Sequence, residues 1–107
     1  MSYVSLLMLL ILVHFVVDYQ FQSDFVARNK NRHLNETPIP ACYVMFAHAS
    51  CHALPLWFLL SPPLAMAELV LHYTIDVCKC EGLTNIHVDQ ALHVACKVVW
   101  AWAFLYS

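Results

Sequence analysis

The chain has 107 residues, of which 62% are hydrophobic and 11% are charged. This length allows one domain, residues 1–107, whereas a soluble domain has about a quarter of its residues charged. Five Lys and Arg residues and a formal net charge of −2 exclude a basic nucleic-acid-binding protein. The single glycine excludes a glycine-rich nucleotide-binding loop.

Four mainly apolar segments each approach the roughly 20 residues that a helix needs to cross a bilayer. In chain order they cover residues 3–22, 40–60, 63–80 and 88–107. The connection at Ser61-Pro62-Pro63 is a tight turn, and short connections make consecutive helices antiparallel. The sequence therefore predicts an all-α fold, an integral membrane four-helix bundle with up-down topology and short loops.

Positive charges predict the orientation of this bundle. Arg28, Lys30 and Arg32 lie in the first connection, and Lys79 lies at the start of the third, on the same side. The positive-inside rule places both connections in the cytoplasm and both termini outside.

Each predicted helix carries ionisable residues spaced four apart, which therefore share one helix face. The sets are His14 and Asp18; His48 and His52; Glu68, His72 and Asp76; and Asp89, His93 and Lys97. At about 1.5 Å per residue, imidazoles from all four helices fall within roughly one turn of a common level. Ionisable groups at membrane depth are costly unless they face the interior and find partners. The four faces are predicted to meet in one cluster.

Imidazoles and carboxylates without thiolates are the ligand set of a zinc, manganese or iron site. The candidate ligands are His14, Asp18, His48, His52, His72, Asp76 and His93. They outnumber the ligands of one tetrahedral ion, so the predicted cofactor is one or two divalent transition metal ions, with zinc as the first choice. Asp89 or Glu68 is the candidate general base. The opposing interpretation is a core of ordinary hydrogen bonds and ion pairs.

Two further predictions concern residues outside this ligand set. Lys97 lies too deep in the fourth segment to reach either membrane interface, so we expect an ion pair with Glu68 that closes the deep end of the site. The five cysteines are odd in number and irregular in spacing. They are predicted to be small buried hydrophobic residues, not a disulfide framework.

Four strings of the sequence resemble the domain-of-unknown-function 3307 family of small bacterial and phage membrane proteins. The strings are HFVVDYQFQSDFVARNK (14–30), HASCH (48–52), LHYTIDVCK (71–79) and DQALH (89–93), and they occur in the family's order. The resemblance implies a bacterial or phage membrane protein, and together with the four apolar segments it predicts a multi-pass protein of the bacterial inner (plasma) membrane. It also implies a polar signature, namely His14, Asp18, Gln22, Asp24, Asn29, Lys30, His48, His52, His72, Asp76, Lys79, Asp89, Gln90 and His93.

The helices with a His and an Asp four residues apart are also similar to those of bacterial membrane-bound metal-dependent hydrolases. By this analogy the predicted function is a metal-dependent membrane hydrolase whose His/Asp site lies within the membrane and opens to the cytoplasmic side. Arg28, Lys30 and Lys79 are predicted to rim the entrance and to bind an anionic headgroup. A membrane lipid or another amphiphilic phosphoester is then the substrate, and nucleic acid is not a partner.

Two non-enzymatic alternatives stay open at this point. An ion or proton pathway would use the same polar faces as a relay, although the outer parts of the helices, such as residues 5–10 and 98–106, are almost wholly apolar. A phage-encoded interaction protein would use metal for folding only. The oligomeric state is also open, since the bundle closes either alone or as a homo-oligomer.

Overall fold

The computed structural model describes residues 1–107, and it is entirely helical. The five helices are α1 (Tyr3–Tyr19), α2 (Asp24–Asn29), α3 (Ala41–Leu59), α4 (Pro62–Cys80) and α5 (Ile86–Tyr106). The predicted all-α fold is confirmed. The six-residue α2 was not predicted, because the sequence indicated only a polar connection in this stretch.

Four helices begin directly after a residue whose side chain accepts a hydrogen bond from a backbone N–H of the first turn. These residues are Ser2, Ser23, Ser61 and Asn85. Such caps accept hydrogen bonds from backbone N–H groups of the first turn, which have no partner within the helix. α1 ends at Tyr19 and does not continue to residue 22 as predicted, and the backbone is extended at Ser23, the cap of α2.

The four long helices form a ring of antiparallel neighbours, with α3 packed most extensively on α4 and with α5 between α4 and α1. A thinner contact between α1 and α3 closes the ring, and α2 lies against α3. The molecule is a helical bundle of 44 × 25 × 22 Å. The connections 20–40 and 81–85 lie at one end, which we name the loop end.

A small hydrophobic core lies at the end opposite the loop end. Its buried residues are Leu6, Leu10, Leu56, Ala65, Trp100 and Ala101. They come from all four long helices, so burial of their apolar surface joins the helices at that end. Polar residues occupy the interior in the middle of the bundle and at the loop end.

The interior of the bundle is polar and its exterior is apolar. Almost half of the 23 buried residues are polar or charged, whereas large apolar side chains such as Val4, Phe58 and Leu83 are exposed. Soluble monomers seldom carry continuous apolar surface of this extent. The exterior is therefore suited to an apolar environment or to a covering partner.

The predicted burial of the cysteines is wrong. Cys42 and Cys51 are exposed, the other three are half-buried, and none forms a disulfide. Histidines and carboxylates fill the interior of the bundle, so the thiols face outward with the other apolar side chains.

Only α3 is both long enough and apolar enough to span a membrane on its own, and α1 is apolar but shorter. One such helix is weak evidence for a membrane span, since core helices of soluble proteins can have the same length and composition. α4 and α5 have 19 and 21 residues, but they carry charged side chains that lie inside the bundle. Helix length and composition thus support one span, not the four predicted.

Candidate metal centre

The four polar helix faces meet inside the bundle. Nine side chains form what we name the interior cluster: His14, Asp18, His48, His52, Glu68, His72, Asp76, Asp89 and His93. Eight of them are buried, and the ninth, Asp18, has a side chain that is 10% exposed. Helical spacing therefore predicted correctly which residues converge.

The five imidazole rings of the cluster lie against one another, with His72 at the centre. Its ring stacks on those of His52 and His93, with centroid distances of 3.8 and 4.1 Å. The His14 ring lies 5.1 Å from the same two rings. Positively charged rings would repel one another at such distances, whereas neutral imidazoles are metal ligands.

Three overlapping sets of side chains bring possible ligand atoms within 4.8 Å of one another. We name Asp18, His48, His52 and His72 the four-residue group, and Asp76, Asp89 and His93 the acidic group. The third set, His14, His72 and His93, lies between them and shares a member with each. The residues present therefore suit a metal ion in more than one position.

Asp18 is the common partner within the four-residue group. Its Oδ1 lies 3.0 Å from His52 Nε2 and 3.3 Å from His48 Nε2. His48 Nε2 in turn lies 3.4 Å from His72 Nε2. Three imidazole nitrogens and one carboxylate oxygen, supplied by three helices, are a donor set for tetrahedral zinc.

The acidic group contains buried atoms without hydrogen-bond partners. Asp76 Oδ1 lies 2.9 Å from His93 Nε2, and Asp89 Oδ1 lies 3.5 Å from the same nitrogen. Neither Asp89 Oδ1 nor His93 Nδ1 has a hydrogen-bond partner. Buried polar atoms rarely lack a hydrogen-bond partner. Where one does, a bound ion is one explanation. The group therefore fits a cation chemically as well as by distance.

Gln90 links the two groups, although helical spacing did not single it out. Its Oε1 lies 2.9 Å from His14 Nε2, and its Nε2 donates to Asp18 Oδ2 and to Asp89 Oδ2 at 3.1 and 3.0 Å. Gln90 directly follows Asp89 and so lies outside the spacing of four. The DQALH string carried the only sequence signal for it.

Glu68, one of the two candidate general bases, makes hydrogen-bond contacts through both carboxylate oxygens. Its Oε1 accepts hydrogen bonds from Lys97 Nζ at 2.6 Å and from Trp100 Nε1 at 2.9 Å, so the predicted Lys97–Glu68 pair is confirmed. Its Oε2 lies 2.9 Å from His72 Nδ1. With both oxygens engaged, Glu68 is suited to orienting the His72 ring and not to accepting a proton from substrate. Asp89 Oδ1 accepts no hydrogen bond and lies 3.5 Å from His93 Nε2, so Asp89 stays the candidate general base.

Two of the three predicted substrate-binding residues lie near the surface of the loop end. Arg28 is exposed and pairs with Glu36 at 2.8 Å. The Lys79 side chain is 29% exposed, and its Nζ lies 3.6 Å from Asp89 Oδ2. Lys79 is therefore partly exposed and also contacts the interior cluster.

Lys30, in contrast, does not lie at the rim where the sequence placed it. It is buried, and its Nζ donates to Gln22 Oε1 at 2.6 Å and to Asp76 Oδ2 at 3.0 Å. The cause is α2, which ends at Asn29 and turns the following residue into the bundle. Lys30 is therefore a member of the interior hydrogen-bond network.

Glu81 holds the first connection against the end of α4. Arg32 and His33 both bond to its carboxylate. The hydrogen bond from Arg32 is the main reason that the pKa of Glu81 falls to about 2, and it raises the pKa of Arg32. Both groups therefore stay charged at neutral pH, which keeps the connection in place.

Comparison with known proteins places the interior cluster in a family context. Residues 6–107 match the family model described as Protein of unknown function (DUF3307). No curated protein and no solved structure matches the chain. The matched range includes every residue of the interior cluster, and the chain belongs to the DUF3307 family.

Proposed function

We propose that this protein is a metal-dependent hydrolase embedded in a membrane, with the interior cluster as its active site. The observation that carries the proposal is the convergence of five imidazoles and four carboxylates from all four long helices. Buried ionisable groups are costly unless other charges or a metal ion compensate them. A protein interior that serves only stability seldom contains so many ionisable side chains.

The charges in the cluster favour a cation in the four-residue group. Three carboxylates have a lysine partner, namely Asp76 with Lys30, Glu68 with Lys97 and Asp89 with Lys79. Asp18 has none, and it contacts only imidazoles and the Gln90 amide. A divalent ion bound by Asp18 and the three histidines supplies the missing positive charge.

The remaining groups suit hydrolysis at the loop end. An ion of the zinc type polarises the scissile group and activates water. Asp89 Oδ1 has no hydrogen-bond partner and lies 3.5 Å from His93 Nε2, so this carboxylate is available either to accept a proton or to bind an ion. Lys79 and Arg28 attract an anionic headgroup, so we propose a lipid or another amphiphilic phosphoester as substrate.

The apolar exterior supports the membrane part of the proposal. Helices of 17 to 21 residues are about 26–32 Å long, close to the roughly 30 Å of a bilayer core. The exposed basic residues Arg28 and Arg32 lie at the loop end, which favours a cytoplasmic location for that end. The hydrophobic core closes the other end, and this argues against the alternative of an ion pathway across the bundle.

Orientation is testable with cysteines placed at the two ends of the bundle. A cysteine in place of Asn31 should react with a membrane-impermeant maleimide only after the cells are opened. A cysteine in place of Ser107, at the opposite end, should react in intact cells, and the native cysteines give the background in the unmodified protein. The reverse labelling pattern would overturn the orientation, and labelling of both positions in intact cells would overturn the membrane-spanning arrangement.

Metal content tests the function directly. Protein purified in detergent from zinc-supplemented cells should contain about one divalent transition metal ion per chain, as measured by elemental analysis. Asp18→Asn should lose this ion and also lose hydrolysis of phosphatidic acid in mixed micelles. Glu36→Gln removes an exposed carboxylate and should retain both properties. Metal-free wild-type protein would refute the metal site, and metal-loaded protein that hydrolyses no phosphoester would refute the hydrolase.

A further inference from the structure

We propose that the acidic group binds a second divalent cation only together with an anionic phosphate group. This inference rests on the proposed function. It deepens that function by assigning the second ion, and with it the phosphate of the substrate, to Asp76, Asp89 and His93.

The acidic group has the features of a cation site. Its three side chains are at most 2% exposed, and their ligand atoms lie within 4.8 Å of one another. Asp89 Oδ1 is buried there without a hydrogen-bond partner, 3.5 Å from His93 Nε2. Two carboxylates and one imidazole suit magnesium, manganese or zinc.

Both carboxylates of the group already have an ammonium partner, unlike Asp18. Lys30 Nζ lies 3.0 Å from Asp76 Oδ2, and Lys79 Nζ lies 3.6 Å from Asp89 Oδ2. A divalent ion that enters this balanced site alone leaves two excess positive charges in a medium of low dielectric constant. Such an excess is strongly unfavourable. The second ion therefore requires an accompanying anion.

A phosphate group supplies this anion and also uses the displaced lysines. It carries about −1.5 to −2 charges near neutral pH. When the ion takes the carboxylates, the ammonium groups of Lys30 and Lys79 become free to donate to phosphate oxygens. Lys79, whose side chain is 29% exposed, is the ammonium partner that lies nearer to the surface of the loop end.

The position of His72 brings the two metal sites together. Its Nε2 lies 3.4 Å from His48 Nε2 in the four-residue group and 3.6 Å from Asp76 Oδ2 in the acidic group. A phosphate bound at the acidic group is therefore adjacent to the first ion. Two neighbouring ions acting on one phosphate stabilise both the attacking and the leaving oxygen.

The test is an equilibrium titration of the detergent-purified protein with Mn²⁺, in the presence and absence of inorganic phosphate. Wild-type protein should bind one ion with chloride as the only anion and two with phosphate. Phosphate should tighten the second binding event by roughly 5- to 150-fold, the usual range of coupling between linked sites. A second ion that binds equally tightly with and without phosphate, or one ion in the presence of phosphate, would overturn the inference. Loss of all binding would instead count against the proposed function.

Two variants sharpen the test. Asp89→Asn should abolish the phosphate-dependent ion and keep the first. Lys79→Met leaves Asp89 without an ammonium partner, so the second ion should bind to the acidic group of this variant without phosphate. A Lys79→Met protein that still needs phosphate as strongly as the wild type would contradict the role given to the lysine.

Discussion

Lys97→Met should destabilise the protein by roughly 3–5 kcal/mol, the usual cost of removing one partner from a buried ion pair. The change leaves the Glu68 carboxylate buried and charged, with Trp100 and His72 as its only contacts. Unfolding in detergent micelles, followed by circular dichroism against denaturant, measures the loss.

The double variant Lys97→Met with Glu68→Gln should recover much of that stability, because the uncompensated charge is then removed as well. Arg28→Met is the matched control. It breaks an exposed pair with Glu36 and should cost less than about 1 kcal/mol. Additive losses in the double variant would mean that Lys97 and Glu68 are not coupled, and Glu68 would again be a candidate ligand.

His72→Ala should remove the metal ion of the four-residue group and destabilise the fold. The ring contacts those of His52 and His93, so its loss opens a cavity at the centre of the cluster. Metal affinity should fall by more than the roughly 10- to 100-fold typical of losing an outer partner of a ligand. Dialysis against buffered zinc, followed by elemental analysis, measures this.

The exposed histidine at position 87 provides the comparison for this experiment. His87→Ala removes an imidazole of the same size from the loop-end surface and should retain full metal content. Full occupancy in a folded His72→Ala protein would exclude His72 as a ligand, and the acidic group and His14 would then have to hold the ion.

Helical spacing was sufficient to predict the membership of the interior cluster. Residues four apart share a face whatever the exact helix ends, so errors of two or three residues at Tyr19 or Ile86 did not matter. The Lys97–Glu68 pair followed in the same way, because a buried ammonium has few partners at that depth. Periodicity and the cost of buried charge are both properties of the local sequence.

The features that were missed depend on tertiary structure. Lys30 enters the cluster because a connection folds back over the loop end, and no periodic pattern encodes the path of a connection. The cysteines are apolar enough for either a core or an outward face, so composition could not distinguish the two. Gln90 is uncharged, and a search restricted to ionisable residues passes over it.

Because Lys30 belongs to a connection and not to a long helix, the charge balance of the bundle interior depends on a segment outside the long helices. Asp76 lies on α4, but its ammonium partner reaches it only while residues 20–40 are docked on the loop end. Undocking of the connection would leave Asp76 with imidazole partners alone. Cleavage or insertion in this outwardly exposed connection would therefore weaken the packing of helices that it does not interrupt.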